Sequence, residues 1–302
     1  LEASILILAG GRSKRFGEDK LTFRLNGKPL ISYPVSEAKK VSNSVYIITS
    51  DDELRRIKSI VDGVEFLVDD LSLRCEGPAR GIATGLKDID SDYYIVIPGD
   101  SPWINEVALN NLLNFSIRNG EIVAPLIAPG IVSPLFMAIP KKSKDFIIDI
   151  CNSFSAFASR PSNFLRGCKT FIVGTYYLTD KYSTFCDIDR KIDLYNTIRK
   201  GLTRRFVTLD AYKFFIEAVK AYKQGLFDKA YSYLVSESRF YRRNRIYSLE
   251  LSALTDMLLV SKKEETAKIE SRIRELRKFT GRMPKEYEFF PGIVPLRSQE
   301  LL

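Results

Sequence analysis

Six short apolar runs punctuate the first two thirds of the chain: Ser4 to Ala9, Val45 to Thr49, Val64 to Val68, Tyr93 to Pro98, Ile122 to Pro125 and Thr170 to Val173. They are rich in β-branched or aromatic residues, so each predicts a strand buried on both faces. Between them, apolar residues recur at helical spacing over Leu30 to Lys40, Glu53 to Val61, Ala79 to Lys87, Asn105 to Arg118 and Lys144 to Phe157. Strand alternating with helix predicts an α/β fold, a Rossmann-like, mostly parallel sheet with helices on both faces. Ligands of such sheets bind beyond the carboxyl ends of the strands, so the loops after Leu8, Thr49, Val68 and Pro98 are expected to converge on one crevice. Past Lys200 the texture changes. From Leu209 to Phe279 the apolar spacing is three and four throughout, which predicts about four helices. The expected domains are therefore 1–203, carrying the sheet, and 204–302, a small all-α domain. Within the latter Ala218, Ala221, Gly225, Phe227 and Ala230 are spaced as in one tetratricopeptide-like hairpin, without a clear repeat ~34 residues on.

Composition narrows the chemistry. The 302 residues include no histidine, which removes Ser-His and Cys-His nucleophiles, imidazole acid/base work and nearly every zinc site. Catalysis must run on carboxylates, Lys, Arg, backbone donors or an oxygen-liganded metal. The four cysteines, Cys75, Cys151, Cys168 and Cys186, lie far apart with no CxxC pair. No apolar run approaches the ~20 residues of a membrane helix, and LEASILILAGG has no basic segment ahead of it, so it reads as a buried strand and predicts a cytosolic protein without membrane contact. The net charge of +9 comes mostly from the helical region. Richness in Lys, Arg, Ile and Tyr is compatible with a thermophilic source.

The stretch Leu8 to Lys20, LAGGRSKRFGEDK, carries most of the functional information. A buried strand runs into adjacent glycines, Gly10 and Gly11, whose backbone N–H groups can approach a phosphate chain, with Arg15 and Lys20 as charge partners. It is neither GxGxxG nor GxxxxGK[ST], which disfavours a dinucleotide site and a P-loop.

With its LAGGxSxRxGxDK pattern this segment resembles the molybdenum-cofactor guanylyltransferases, within the broader nucleotidyltransferases of the nucleotide-diphospho-sugar transferase type. The likeness continues in order through Gly27-Lys28-Pro29-Leu30, Gly77-Pro78-Ala79-Arg80-Gly81-Ile82, Pro98-Gly99-Asp100-Ser101-Pro102 and Pro134-Leu135-Phe136, over about residues 3 to 200. It implies GTP and molybdopterin as substrates, transfer of GMP with release of pyrophosphate, and Mg²⁺ as cofactor. It implies that Leu8, Ala9, Gly10, Gly11, Ser13, Arg15, Lys20, Ser50, Asp70, Gly77 and Pro78 bind the nucleotide. Arg15, Lys20 and Asp100 then act catalytically, the cations gripping the triphosphate and Asp100 holding Mg²⁺. Asp70, seven residues before the GPARGI loop, takes the family's position for an acid meeting guanosine, and Asp69 beside it competes for that role.

Three departures stand out. The family's NxNTPxDL is Cys186-Asp187-Ile188-Asp189-Arg190-Lys191-Ile192-Asp193-Leu194 here, which offers Asp189 as a second Mg²⁺ ligand. GPLAGI has become GPARGI, and Arg80 is open to two readings, acceptor phosphate or solvent. Trp103 follows Pro102 where a smaller aromatic is common. The alternatives are a cytidylyl or sugar-1-phosphate nucleotidyltransferase, and an inactive nucleotide-binding regulator whose C-terminal helices dock a protein partner. The basic clusters Tyr241-Arg242-Arg243-Asn244-Arg245 and Lys278 to Arg282 lie in no nucleic-acid-binding motif, which favours a solvated or protein-docking face over nucleic acid.

Overall fold

The computed structural model describes residues 1–10, 16–153, 160–181, 183–188, 190–194 and 202–280. Its centre is a mixed sheet of β1 (Ala3–Leu8), β4 (Ser44–Thr49), β5 (Glu65–Val68), β6 (Tyr93–Pro98), β7 (Ile122–Ala128), β8 (Ile131–Val132), β9 (Met137–Pro140), β10 (Thr170–Gly174) and β11 (Phe206–Leu209). The order is β11-β10-β7-β9-β6-β1-β4-β5, with β8 folded onto β7. β1, β4, β5 and β6 run parallel, as do β7 and β10, while β9 is antiparallel to both its neighbours and β11 to β10. A two-stranded ribbon, β2 (Arg24–Leu25) with β3 (Lys28–Pro29), lies outside the sheet.

Each central strand feeds two cores because its side chains alternate across the sheet. Ile5, Ile7, Ile47, Ile95 and Ile97 pack with buried side chains of α1 (Ser32–Val41), α2 (Asp51–Lys58) and α4 (Glu106–Asn119). Leu6, Ile48, Tyr94 and Val96 face the other way, with α3 (Gly77–Asp88), α5 (Lys144–Ser153) and α6 (Ser162–Gly167). This second core continues without a break into α7 (Tyr212–Lys223), α8 (Phe227–Arg243), α9 (Tyr247–Val260) and α10 (Lys263–Thr280).

The α/β sheet and the four C-terminal helices expected from the spacing are both present. The expected division at 203/204 is crossed in two ways. β11, at 206–209, completes the sheet edge, and the turn between β7 and β8 is pressed against α9, with Ser248 N donating to Gly130 O at 3.0 Å and Val132 N to Ser248 Oγ at 3.1 Å. A Cβ on Gly130, whose φ is +77°, would meet Tyr247 Cδ2 at 2.3 Å. The part of the expected Lys144–Phe157 helix beyond residue 153 lies outside the described residues. Among the described residues no helix is long and apolar enough to cross a membrane.

Two of the widely spaced cysteines meet. Cys75, in the loop entering α3, is bonded to Cys151 of α5, both fully buried, and the bridge spans 76 positions. Closing a loop of that size restricts the unfolded chain, so full reduction is expected to lower the unfolding free energy by about 4 kcal/mol. Urea titrations with and without reductant check this, and an unchanged midpoint in the reduced protein rules it out.

Candidate active site

The ends of β1, β4, β5 and β6 are stitched into one crevice by their own backbone. Ala9 N donates to Ile48 O at 2.8 Å, Gly99 N to Leu8 O at 2.9 Å and Asp69 N to Thr49 O at 2.9 Å, while Thr49 Oγ1 donates to Ala9 O at 2.6 Å. Gly99 permits a close approach of β6 to β1. A Cβ there would lie 3.1 Å from Leu8 O and 3.4 Å from Leu21 Cδ2. Gly10 is exposed, and among the described residues none stands where its side chain would be.

Downstream, Phe16 is buried with Leu30 and Ile188, and Trp103, Phe23, Leu25 and Leu194 close over this small cluster. That packing carries the Gly17–Lys20 turn to the mouth of β6. There the Lys20 ammonium pairs with the Asp100 carboxylate and also donates to Ile188 O at 2.8 Å, and Ile188 N donates back to Asp100 O at 3.1 Å. The two charged side chains are only 12% and 16% exposed, so their attraction is weakly screened. Glu18 pairs with Lys191 on the rim.

Asp69 and Asp70 diverge. Asp70 accepts from Lys87 Nζ at 2.5 Å and from Ser72 N at 2.8 Å, and these bonds hold its carboxyl down at about 2. Asp69 points inward, and burial pushes its carboxyl above the usual range, the Arg80 charge acting in the opposite sense. Gly77, at φ +59°, and Pro78 open α3 beside them, and Ser50 caps the start of α2 through its carbonyl, which accepts from Glu53 N and Leu54 N at 3.1 Å.

The structure thus brings Leu8, Ala9, Gly10, Lys20, Ser50, Asp70, Gly77, Pro78 and Asp100 to one end of the sheet. Gly11, Ser13, Arg15 and Asp189 lie outside the described residues. Among the described residues no three acidic or cysteine side chains cluster as a metal cage. The oxygens of Asp100 and Ile188 that converge on the Lys20 ammonium are nonetheless hard donors around a cation, the class Mg²⁺ takes when it keeps several waters. The Ile188 carbonyl, a main-chain oxygen, has no residue-type signal by which a sequence could announce it. On the far side of the Asp100 loop a cleft of about 670 Å³ opens between α1 and the start of α4, with Tyr33, Trp103, Lys28, Lys40 and Lys181 on its walls.

Residues 5–147 match the MobA-like NTP transferase domain. A Bacillus cereus protein named probable molybdenum cofactor guanylyltransferase is 30% identical over 142 residues, 47% of this chain and 70% of that one. A Thermococcus sibiricus protein of the same name is 33% identical over 146 residues, 47% of this chain and 69% of its own. Among solved structures, molybdopterin-guanine dinucleotide biosynthesis protein A from Archaeoglobus fulgidus superposes with a TM-score of 0.54 at 18% identity, over 64% of this chain and 95% of that one, a likeness of fold.

Proposed function

Because this chain belongs to the MobA-like NTP transferase family, and is thereby a nucleotidyltransferase, we propose that it transfers GMP from GTP to the phosphate of molybdopterin. A terminal phosphate oxygen of the acceptor attacks the α-phosphorus in line, the new P–O bond forms, and the α–β bridging bond breaks to release pyrophosphate. The acceptor phosphate is already a competent nucleophile, so no covalent protein intermediate is required. What remains for the protein is positioning and charge.

The observation that carries this reading is the meeting of Lys20 and Asp100 beside the exposed Gly10 loop, at the strand ends where such sheets bind nucleotides. Gly10 offers its backbone N–H to the triphosphate, and Lys20 a fixed cation in a poorly screened setting. Asp100, with Asp189 as a second ligand, would hold Mg²⁺, which supplies Lewis-acid polarisation of phosphate oxygens when bound. The cleft offers an acceptor the aromatic walls of Tyr33 and Trp103, with Lys28 and Lys181 as phosphate contacts beside Glu37, Glu106 and Asp180 on the same walls. The setting we infer is cytosolic; disulfides such as Cys75–Cys151 occur inside hyperthermophiles, in keeping with the composition.

A pyrophosphate-release screen of GTP, CTP, ATP and UTP against molybdopterin and sugar 1-phosphates, with Mg²⁺, tests the proposal. Release is expected from GTP with molybdopterin. Release only from CTP, or only with a sugar phosphate, assigns a different transferase, and tight GTP binding without release with any acceptor points to a regulator.

A further inference from the structure

At the edge of the sheet farthest from β5, β11 pairs with β10 on one side and, among the described residues, with no strand on the other. Gly174 N donates to Arg205 O at 2.7 Å and Tyr176 N to Thr203 O at 3.1 Å, so the odd-numbered residues turn their backbone groups towards β10. By the alternation of an antiparallel ladder, the N–H and C=O groups of Arg204, Phe206 and Thr208 point away from the sheet. β11 holds neither a proline nor a lysine to blunt this edge, and an open row of bonding groups is a template for another strand. Arg204, Phe206, Thr208 and Asp210 are exposed while Val207 and Leu209 are buried, the period-two pattern of one outward face. Phe206 stacks on Tyr177 with 4.2 Å between ring centroids and on Phe171 of β10 with 5.6 Å, and Tyr176 and Tyr177 are exposed beside it. The ends of the strand carry opposite charges. The Arg204 guanidinium lies 4.1 Å from the centre of the Tyr176 ring, and among the described residues neither Arg204 nor Asp210 is in an ion pair.

We propose that β11 pairs with β11 of a second copy of this chain, antiparallel about a two-fold axis at Val207, to make one sheet continuous across a dimer. A contact of this kind needs a strand that is complementary to itself. Because the outward backbone groups belong to even-numbered residues, the hydrogen-bonded pairs of the new ladder join even to even. Centring on Val207 opposes Phe206 to Thr208 of the second copy and Arg204 to Asp210 of the second copy, each twice by symmetry. A shift of two residues either way sets Arg204 against Thr208 or against Tyr212, where α7 has begun, and both ion pairs are lost. The same register places the two Phe206 residues diagonally on one face, about 7–8 Å apart and within reach of each other's rings. β10, β7 and β9 stand between β11 and β6, so the pairing leaves the crevice of each copy clear.

Sedimentation equilibrium of the full chain over about 1–100 μM tests this, and the wild type is expected to be dimeric within that range. Thr208→Pro removes one outward N–H and none of the ladder to β10, and should weaken the dimer by more than about tenfold. Arg204→Asp and Asp210→Arg each set like charges opposite one another and should weaken it by about tenfold. The double variant Arg204→Asp, Asp210→Arg restores opposite charges in the same register and should regain most of the affinity. A wild type that stays monomeric overturns the proposal; if single-stranded poly(U) then shifts the sedimentation of that monomer, the aromatic and arginine face is a nucleic-acid platform instead. A dimer that survives Thr208→Pro overturns the strand pairing, and so does one that weakens in the single reversals without recovering in the double variant. Thermal melts establish that each variant folds, and the charge swap decides the matter alone if Thr208→Pro does not.

Discussion

Replacing Asp100 by Ala is expected to lower the turnover number for pyrophosphate release by about a thousandfold, close to 4 kcal/mol of transition-state stabilisation. The carboxylate sits where the β6 end, the Lys20 ammonium and the Ile188 carbonyl come together, and under the proposed function it would hold a divalent cation against phosphate oxygens. Removing it takes from Lys20 its carboxylate partner while the bond to the Ile188 carbonyl stays. The fold should persist, because Asp100 O still accepts from Ile188 N and Gly99 N still bonds Leu8 O. Asp100→Asn separates charge from shape: it keeps the packing, and should be nearly as impaired if charge is what matters. Steady-state kinetics with Mg²⁺ across a concentration series, alongside a thermal melt, decides the matter. A variant retaining more than about a tenth of wild-type turnover would remove Asp100 from the catalytic role.

Arg166→Met is expected to cost about 3–5 kcal/mol of stability, the usual effect of breaking a buried pair from one side. Arg166 lies on α6 and is wholly buried. It donates to Glu237 of α8 through Nε at 2.8 Å and Nη2 at 2.7 Å, and through Nη1 to Asp256 of α9 at 2.5 Å, Asn163 at 2.8 Å and Ser252 at 3.1 Å. Its guanidinium lies 4.5 Å from the centre of the Phe215 ring on α7, and Arg160 also pairs with Asp256. Removing Arg166 strands the Glu237 carboxylate, whereas Asp256 keeps Arg160. The double variant Arg166→Met, Glu237→Met should therefore recover most of the loss, since an apolar pair of similar volume replaces the ion pair. Urea unfolding of both variants reads the difference; a loss under about 1 kcal/mol in the single variant contradicts the network's burial. These charges join α6 to α8 and α9, although neither set advertises the other in the sequence.

Much of the site was legible because its signals are local. Gly10 beside Gly11, the Lys20 offset and the apolar strand before Asp100 each need only neighbouring residues to be understood. Asp69 and Asp70 were not separable on that basis, because both follow the same strand and differ only in which side of it their carboxylates leave. Lys87, seventeen positions on, then engages one of them. β9 and β11 were missed for a related reason. Neither stretch stands out as an isolated apolar run, and each exists because strands distant in sequence offer an open edge, β6 and β7 to β9 and β10 to β11. Cys75 and Cys151 likewise carry no spacing signal; the stacking of α3 beside α5 brings them together.

The order of apolar runs and helical stretches, by itself, determined an α/β sheet followed by four helices and the strand ends at which a ligand would sit. These follow from backbone periodicity and side-chain chemistry, which act over a few residues. Only the tertiary structure decided that Lys20 meets Asp100 and Ile188, that Lys87 takes Asp70 rather than Asp69, and that the helices share the sheet's core across residue 203. Those outcomes depend on which distant surfaces exclude water from one another, and burial of that kind is a property of the packed chain rather than of any segment in it.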